Sequence, residues 1–341
     1  MEVGLIIAIG LAVAFALTNG FHDASNAIAT LVATRGATPG QAVALSAVFN
    51  MAGAILLGTA VADTIGGIVT VSDDQMVAVV GSGLAGAVIW NLITWWRGLP
   101  SSSGHALVGG LVGAAIADGV LAGTGGLDAV NWGGFDGWRP TGVIGVLIAL
   151  LVSPVLGFLG AFLLLRLLRW SSRRWTQRWD TPTKRGGWVT AAGLSFSHGG
   201  NDAQKAMGVI AVLLLATGET SELTVPLWAK IVTGAALTLG TALGGWRIVK
   251  TIGQRIFGLT PIDSFTSQAS STVVILGASF AGAPVSTTQV VASSVVGIGA
   301  GRRRWRHVRW QIVRDMGFAW ITTLPAAALL AVVILIGWRA I

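Results

Sequence analysis

The feature that most constrains this chain is its series of long apolar runs, at residues 4–34, 41–62, 75–118, 141–169, 189–217, 226–247, 263–300 and 311–338. A helix needs roughly 20 apolar residues to cross a bilayer core, and every run is at least that long. Only 11% of the 341 residues are charged, against about 25% in a soluble domain, too few to cover a globule of this size with polar surface. An outer-membrane barrel would require short strands of alternating polarity, and the runs show no such alternation. The expected fold class is therefore an all-α polytopic membrane protein.

Other totals exclude whole classes of chemistry. There are no cysteines, which removes disulfides, thiolate metal sites and cysteine nucleophiles. With 15 tryptophans and no tyrosine, any aromatic belt at the membrane boundary is built from Trp alone. The 48 glycines suit close helix packing or helix breaks. The net charge of +8 does not indicate nucleic acid, because the basic residues lie in short segments between apolar runs, as membrane orientation requires. The first run has no basic leader and ends in a polar motif, so it reads as a span and not as a cleaved signal.

The runs at about 75–118 and 263–300 are too long for one span and carry a Pro/Ser/Thr/Gly interruption in the middle. Each is expected to be a re-entrant helical hairpin that returns to the side it entered from. With the N-terminus outside, most of the 22 Lys and Arg residues fall on the inner side: Arg35, the stretch from Arg166 to Arg185, Arg247, Lys250, Arg255 and the cluster from Arg302 to Arg314. The outer segments hold Asp63, Asp73, Asp74, Asp118, Asp128, Asp136, Glu219 and Glu222. This bias places the chain as a multi-pass protein of the cell (inner) membrane with basic loops in the cytoplasm.

The chain also repeats itself. Residues 19–27 (NGFHDASNA) align with 198–206 (HGGNDAQKA), Asp23 over Asp202, and residues 98–105 (GLPSSSGH) align with 282–289 (GAPVSTTQ), Pro100 over Pro284. The two motifs occur in the same order at nearly the same shift. Each half holds three spans, one of them broken, and one hairpin; an odd number of spans makes the second half begin on the opposite side. This is an inverted-topology repeat, an arrangement that places a site at the membrane midplane. The expected organisation is a first repeat over 1–169, a basic cytoplasmic linker over 170–188 and a second repeat over 189–341.

Polar residues cluster inside the first apolar run of each half: Thr18, Asn19, His22, Asp23, Ser25 and Asn26, then Ser195, Ser197, His198, Asn201, Asp202, Gln204 and Lys205. Ionisable groups inside a membrane are costly and are retained where they face a partner or a cavity. The adjacent Gly20, Gly199 and Gly200 would let each helix unwind, freeing carbonyls for a cation, with Asp23 and Asp202 supplying negative charge. The plainer alternative is that each Asp caps a broken helix. At the hairpin tips, Ser101, Ser102 and Ser103, and Ser286, Thr287 and Thr288, follow a proline region and open a new helix. Neutral hydroxyls beside unsatisfied N–H groups make an anion site, and they also make ordinary N-caps. Cation-seeking carboxylates beside anion-seeking hydroxyls describe a cation-coupled anion symporter.

The stretches FHDASNAIAT (21–30) and SFSHGGNDAQKAMG (195–208) closely resemble the paired signatures of inorganic phosphate transporters of the PiT family. The resemblance covers nearly the whole chain, and its motifs are long and doubled. It implies import of inorganic phosphate by a secondary transporter, with Ser101, Ser102, Ser103, Ser286, Thr287, Thr288, Asn26 and Asn201 around phosphate and Asp23, Asp202, His22, Lys205 and His105 serving the coupling cation or proton. Asp23 and Asp202 would be the ligands if that cation were sodium. It implies no enzymatic activity and no cofactor, and phosphate and membrane lipid as partners, with a homodimer left open and no place for nucleic acid.

Two departures from the family pattern bear on coupling. Many members, the sodium-coupled ones among them, have Gly-Ala-Asn-Asp in the first signature and Asn at the later position of both; this chain has His22 and Lys205 at the changed positions. It thus resembles the bacterial low-affinity branch, associated with proton coupling and with metal–phosphate complexes as substrate. A charged Lys205 beside Asp202 disfavours a sodium ion there, and His22, His105 and His198 put in the motifs three copies of the one side chain that, unperturbed, titrates near neutral pH. Arg97, at the first tip, would draw phosphate in or close an inner gate, or snorkel to headgroups. A permease for sulfate or another tetrahedral oxyanion is the closest rival. An intramembrane hydrolase is disfavoured, since Ser103 and His105 stand two residues apart on one helix and no GxSxG turn is present.

Overall fold

The computed structural model describes residues 2–137, 139–171, 180–243, 249 and 251–340, apart from the side chains of residues 2, 24–26, 180–182 and 254. Of the expected inner-side cations, Arg173, Arg174, Arg178, Arg247 and Lys250 lie outside the described residues. The first half contains α1 (Glu2–Ala33), α2 (Pro39–Leu56), the short α3 (Ala60–Gly66), α4 (Asp73–Arg97), α5 (Ser103–Leu121) and α6 (Gly142–Ser171). Between α5 and α6 lie a 3₁₀ turn, Gly126–Ala129, and a two-stranded hairpin, β1 (Phe135–Asp136) and β2 (Arg139–Pro140). The second half contains α7 (Asp180–Ala216), α8 (Leu227–Leu243), α9 (Pro261–Phe280), α10 (Thr287–Gly301) and α11 (Trp310–Arg339). Among the described residues, six helices, α1, α2, α4, α5, α6 and α11, are long and apolar enough to cross a membrane.

Local signals explain most boundaries. Thr38 caps α2 and exchanges bonds with Gln41, with Pro39 in the first turn; Thr260, Pro261 and Asp263 open α9 in the same way. The tip of the first hairpin turns at Gly98, which has the left-handed φ of 67°. The second turns at Gly282, with φ 71°. Both expected hairpins are therefore pairs of helices, α4–α5 and α9–α10, that pack on each other and meet at an interrupted tip. With 15 residues, α10 reaches only about 22 Å, less than a bilayer core. The expected single span over 41–62 is instead divided: α2 ends at Leu56, and Leu57 to Thr59 are extended or irregular before α3 begins.

A second correction concerns the helix breaks. No unwinding occurs at 19–26 or 198–205; α1 and α7 run through both motifs. The glycines expected to loosen them are instead consumed by helix crossings. A Cβ on Gly20 would lie 2.2 Å from the Leu237 carbonyl oxygen of α8, and one on Gly240 would lie 2.1 Å from that of Leu17. At the matching crossing of α7 with α2, a Cβ on Gly199 would lie 2.1 Å from the Asn50 oxygen, and one on Gly53 2.0 Å from that of Phe196. Small residues let the backbones touch, as in membrane helix pairs generally.

Each half packs against helices of the other as well as its own. α1 packs on α8 and α7 on α2; α6 packs on the α9–α10 hairpin, and α11 on the α4–α5 hairpin. The last span of each half also holds the tip of the other's hairpin. Ser153, next to the in-helix Pro154, accepts the Ser286 N–H at 3.2 Å, and Trp320 donates its indole N–H to the Pro100 carbonyl at 3.0 Å, five residues before the equivalent Pro325. Two ends of the molecule are thereby defined. Arg339 pairs with Asp118 at one, where the base of the first hairpin lies. At the other, Asp263 accepts from Arg302 Nε at 2.8 Å and from the Thr260 N–H at 2.8 Å. Because that buried carboxylate caps α9 and neutralises Arg302, Asp263→Ala is expected to cost about 2 kcal/mol or more, the scale of hydrogen bonds to charged groups. Thermal unfolding in detergent measures it.

Candidate functional site

The two signature motifs lie within α1 and α7, the two hairpin tips close over them, and Asp23, Asp202, Lys205, Ser103, Thr287 and Thr288 at the junction are buried. On α1, Asp23 accepts from Ser103 of the first tip, Oγ to Oδ2 at 2.5 Å, and from Thr288 of the second tip through Oδ1. Ser103 also lies 2.9 Å from Asn19 Oδ1. On α7, Asp202 accepts from Thr287 of the second tip at 2.9 Å and from Lys205 one helical turn on. His198 Nε2 lies 3.0 Å from the same carboxylate. The adjacent residues Thr287 and Thr288 therefore reach different aspartates, so both carboxylates and both tips belong to one centre.

The centre is only partly symmetric. Ser103 to Asp23 and Thr287 to Asp202 are equivalent contacts under the internal alignment. The next position differs: Thr288 in the second tip corresponds to Gly104 in the first. Lys205 fills the space this leaves. Its ammonium bonds the Val285 carbonyl at 3.0 Å as well as Asp202, and a Cβ on Gly104 would meet Nζ at 3.4 Å. One buried cation thus touches α7 and both tips. A charge in such a place is tolerable only when paired and hydrogen-bonded, as this one is.

The remaining expected residues separate by role. Ser102 and Ser286 are N-caps, accepting from the His105 and Gln289 N–H groups at 3.3 Å, a role such hydroxyls fill at any helix start. Ser101 lies 3.1 Å from His22 Nε2 and donates to Thr94 at 2.9 Å, while His22 Nδ1 lies 3.2 Å from Asp23. Asn201 donates to Ser279 at 3.0 Å and to the Ala283 carbonyl at 3.3 Å, binding α7 to the second hairpin. The ring of His105 is buried, and its Nδ1 has no partner among the described residues. The side chain of Asn26 lies outside the described residues.

Sequence reasoning missed Thr94, Asn50 and Ser153. Asn50 Oδ1 accepts from His198 Nδ1 at 3.0 Å, and its amide nitrogen donates to Thr241 at 3.1 Å, so it orients the histidine that faces Asp202. The signal was present: each is a polar residue inside an apolar run, a pattern that marks bundle-facing positions.

Two clefts approach this centre from opposite ends. One of about 740 Å³ runs from Asp63, Asn131 and Arg139 between α6 and α9 to Ala283, Pro284 and Val285 of the second tip. The other, about 430 Å³, lies between α4 and α11, from Arg314 and Asp315 past Arg97 to Thr94. Arg97 therefore lines a cleft beside the first tip and does not reach the aspartates.

The model of the phosphate transporter family matches this chain twice, over residues 19–184 and 174–331. The chain belongs to the phosphate transporter family. The transporter is 40% identical over 335 residues to the "Probable low-affinity inorganic phosphate transporter" of Rhizobium meliloti, covering 96% of this chain and 94% of that one. It is 37% identical to the protein of the same name from Bacillus subtilis, covering 98% and 97%. Among solved structures it is similar to "The sodium-dependent phosphate transporter", with a TM-score of 0.87 and 25% identity over 99% of this chain and all of that one. The expected family, helical membrane fold and transport rather than enzymatic role are thus established, and the doubled match agrees with the doubled motifs.

Proposed function

We propose that this transporter imports inorganic phosphate by cation symport, with a proton favoured over sodium, by alternating access around the centre formed by Asp23, Asp202 and the two hairpin tips. The observation that carries the reading is the buried Lys205 ammonium on Asp202, which also holds the Val285 carbonyl. It is a fixed charge where a mobile cation would otherwise neutralise the carboxylate. Among the described residues no Lys or Arg pairs with Asp23, and His22 and the tip hydroxyls surround it. A carboxylate and imidazole in contact form a site that accepts a proton without a metal's coordination shell.

Phosphate would bind where the tips meet, with Ser103, Thr287 and Thr288 turning from the aspartates to its oxygens. Asn19 Nδ2, Asn201 Oδ1, His105 Nδ1 and Gln289 Oε1 are buried without partners among the described residues, and such groups favour a polar ligand. Phosphate, unlike sulfate, is partly protonated near neutral pH and can donate to a carboxylate, which favours it over other tetrahedral oxyanions. The exchanged packing of the halves and the two clefts at opposite ends support the reading of inverted repeats over 1–169 and 189–341 joined by the basic segment 170–188. On this reading the Asp118–Arg339 end faces outside and the Asp263–Arg302 end faces the cytoplasm. The alternative of a metal–phosphate complex as substrate is tested by dependence on Mg²⁺.

The deciding experiment is phosphate uptake into proteoliposomes under a proton gradient, and then under a sodium gradient at constant pH. Uptake driven by protons alone is expected, with excess sulfate failing to compete. Lys205→Asn is expected to make uptake respond to sodium or to abolish it. Sodium-driven uptake by the unaltered protein, or sodium-independent uptake by Lys205→Asn at the original rate, overturns the coupling assignment; sulfate competition overturns the substrate.

A further inference from the structure

A concave basic site lies far from the transport centre, where α6 and α10 end together. Arg166, Arg169 and Trp170 from the last turns of α6 face Arg302 and Arg303, just past α10, across a cleft of about 640 Å³. Arg302 is engaged by Asp263 and Thr260. Among the described residues no carboxylate pairs with Arg166, Arg169 or Arg303; Arg166 only lies over the Phe162 ring, 5.5 Å from its centroid. Orientation in the membrane asks only for Lys and Arg in the loops, and the helix termini favour a cation in the last turn. Neither requires three unneutralised guanidinium groups turned into one hollow, where their mutual repulsion is lowered by a bound anion.

The walls are rigid. α6 and α10 are in backbone contact along their length: a Cβ on Gly157 would meet the Val290 oxygen at 2.2 Å, one on Gly297 the Phe158 oxygen at 2.3 Å, and one on Gly301 the Leu165 side chain at 3.1 Å. Arg303 takes a left-handed φ of 56°, which turns the chain sharply at the rim. The cleft also opens onto an apolar stripe. Leu159, Leu163 and Leu167 follow one another at four-residue spacing up α6 to the cleft, exposed by 43%, 60% and 57%, and Trp170 beside them is 66% exposed. On a bilayer-crossing helix this is surface for acyl chains, ending at arginines placed at headgroup depth.

We propose that this cleft binds the phosphate of an anionic phospholipid, with Arg166, Arg169 and Arg303 on the headgroup and the Leu159–Leu167 stripe along a chain. Arginine suits the task because its fork meets two phosphate oxygens at once. Free inorganic phosphate shares the headgroup chemistry but has no use for the stripe. The inference is independent of the transport mechanism.

The test is native mass spectrometry of the full chain, equilibrated in detergent with phosphatidylglycerol or phosphatidylcholine. The unaltered protein is expected to retain one phosphatidylglycerol and no phosphatidylcholine. Arg169→Gln with Arg303→Gln is expected to lower retention by about tenfold or more, from the loss of charge-assisted bonds. Arg306→Gln with Arg309→Gln removes the same charge outside the cleft and is expected to leave retention unchanged. Equal losses in the two double variants, no retention by the unaltered protein, or release of the lipid by millimolar inorganic phosphate would each overturn the proposal. Should the cleft variant fail to fold, Arg169→Lys with Arg303→Lys keeps the charge and removes the forks, and lipid retention equal to the unaltered protein overturns it too.

Discussion

Asp202→Asn is expected to abolish phosphate uptake and to lower thermal stability in detergent by about 3–5 kcal/mol, the cost of leaving a buried ion without its partner. The amide has nearly the shape of the carboxylate, so packing is unchanged; what is lost is the charge opposite the Lys205 ammonium, which is 1% exposed. The second variant separates stability from transport. Asp202→Asn combined with Lys205→Met removes both charges and is expected to recover most of the stability and none of the uptake, because a buried ion pair can often be replaced by uncharged groups at little cost. A single Asp202→Asn variant that melts with the unaltered protein would show that Lys205 is uncharged there and would remove the physical basis for treating it as a resident cation.

The second large effect is steric. Gly20→Ala and Gly199→Ala each place a methyl group about 2 Å from a carbonyl oxygen of the crossing helix, so backbones must separate. Overpacking of this kind costs about 1–3 kcal/mol or more. Both sites lie three residues before an aspartate of the centre, so displacement of the helix also misplaces the carboxylate, and uptake is expected to fall with stability. Gly10→Ala, on the same helix with nothing within 4 Å of the new group, is the control and is expected to change stability by no more than about 1 kcal/mol. Matching behaviour of Gly10→Ala and Gly20→Ala would show that the crossing is not tight.

Much of this architecture is legible in the residues. Asp73 to Leu121 and Pro261 to Gly301 read as hairpins because an apolar run too long for one span carries Pro and hydroxyl residues at its middle, and these also mark the tips. Asp23 and Asp202 stand out because ionisable groups inside apolar helices need a reason. The glycines misled, since Gly20 and Gly199 permit either a break or a contact. What decides between these is the helix that crosses them, which is far away in the chain: Gly240 for one, Asn50 for the other. The division of the tip hydroxyls into caps and aspartate ligands was equally hidden. Ser102 and Ser103 are neighbours of one chemical type, and only the direction in which α5 leaves the tip turns one to the backbone and the other to Asp23.

The exchange of partners between halves has a consequence for biosynthesis. α1 is made some two hundred residues before α8, which it packs against, and α5 a comparable stretch before α11. The small-residue grooves of the first half, at Gly20 and Gly53, therefore stay uncovered in the bilayer until α7 and α8 have been made. A chain interrupted before α11 leaves the first hairpin without the helix that packs along both its arms, so that support arrives long after the hairpin itself has been made.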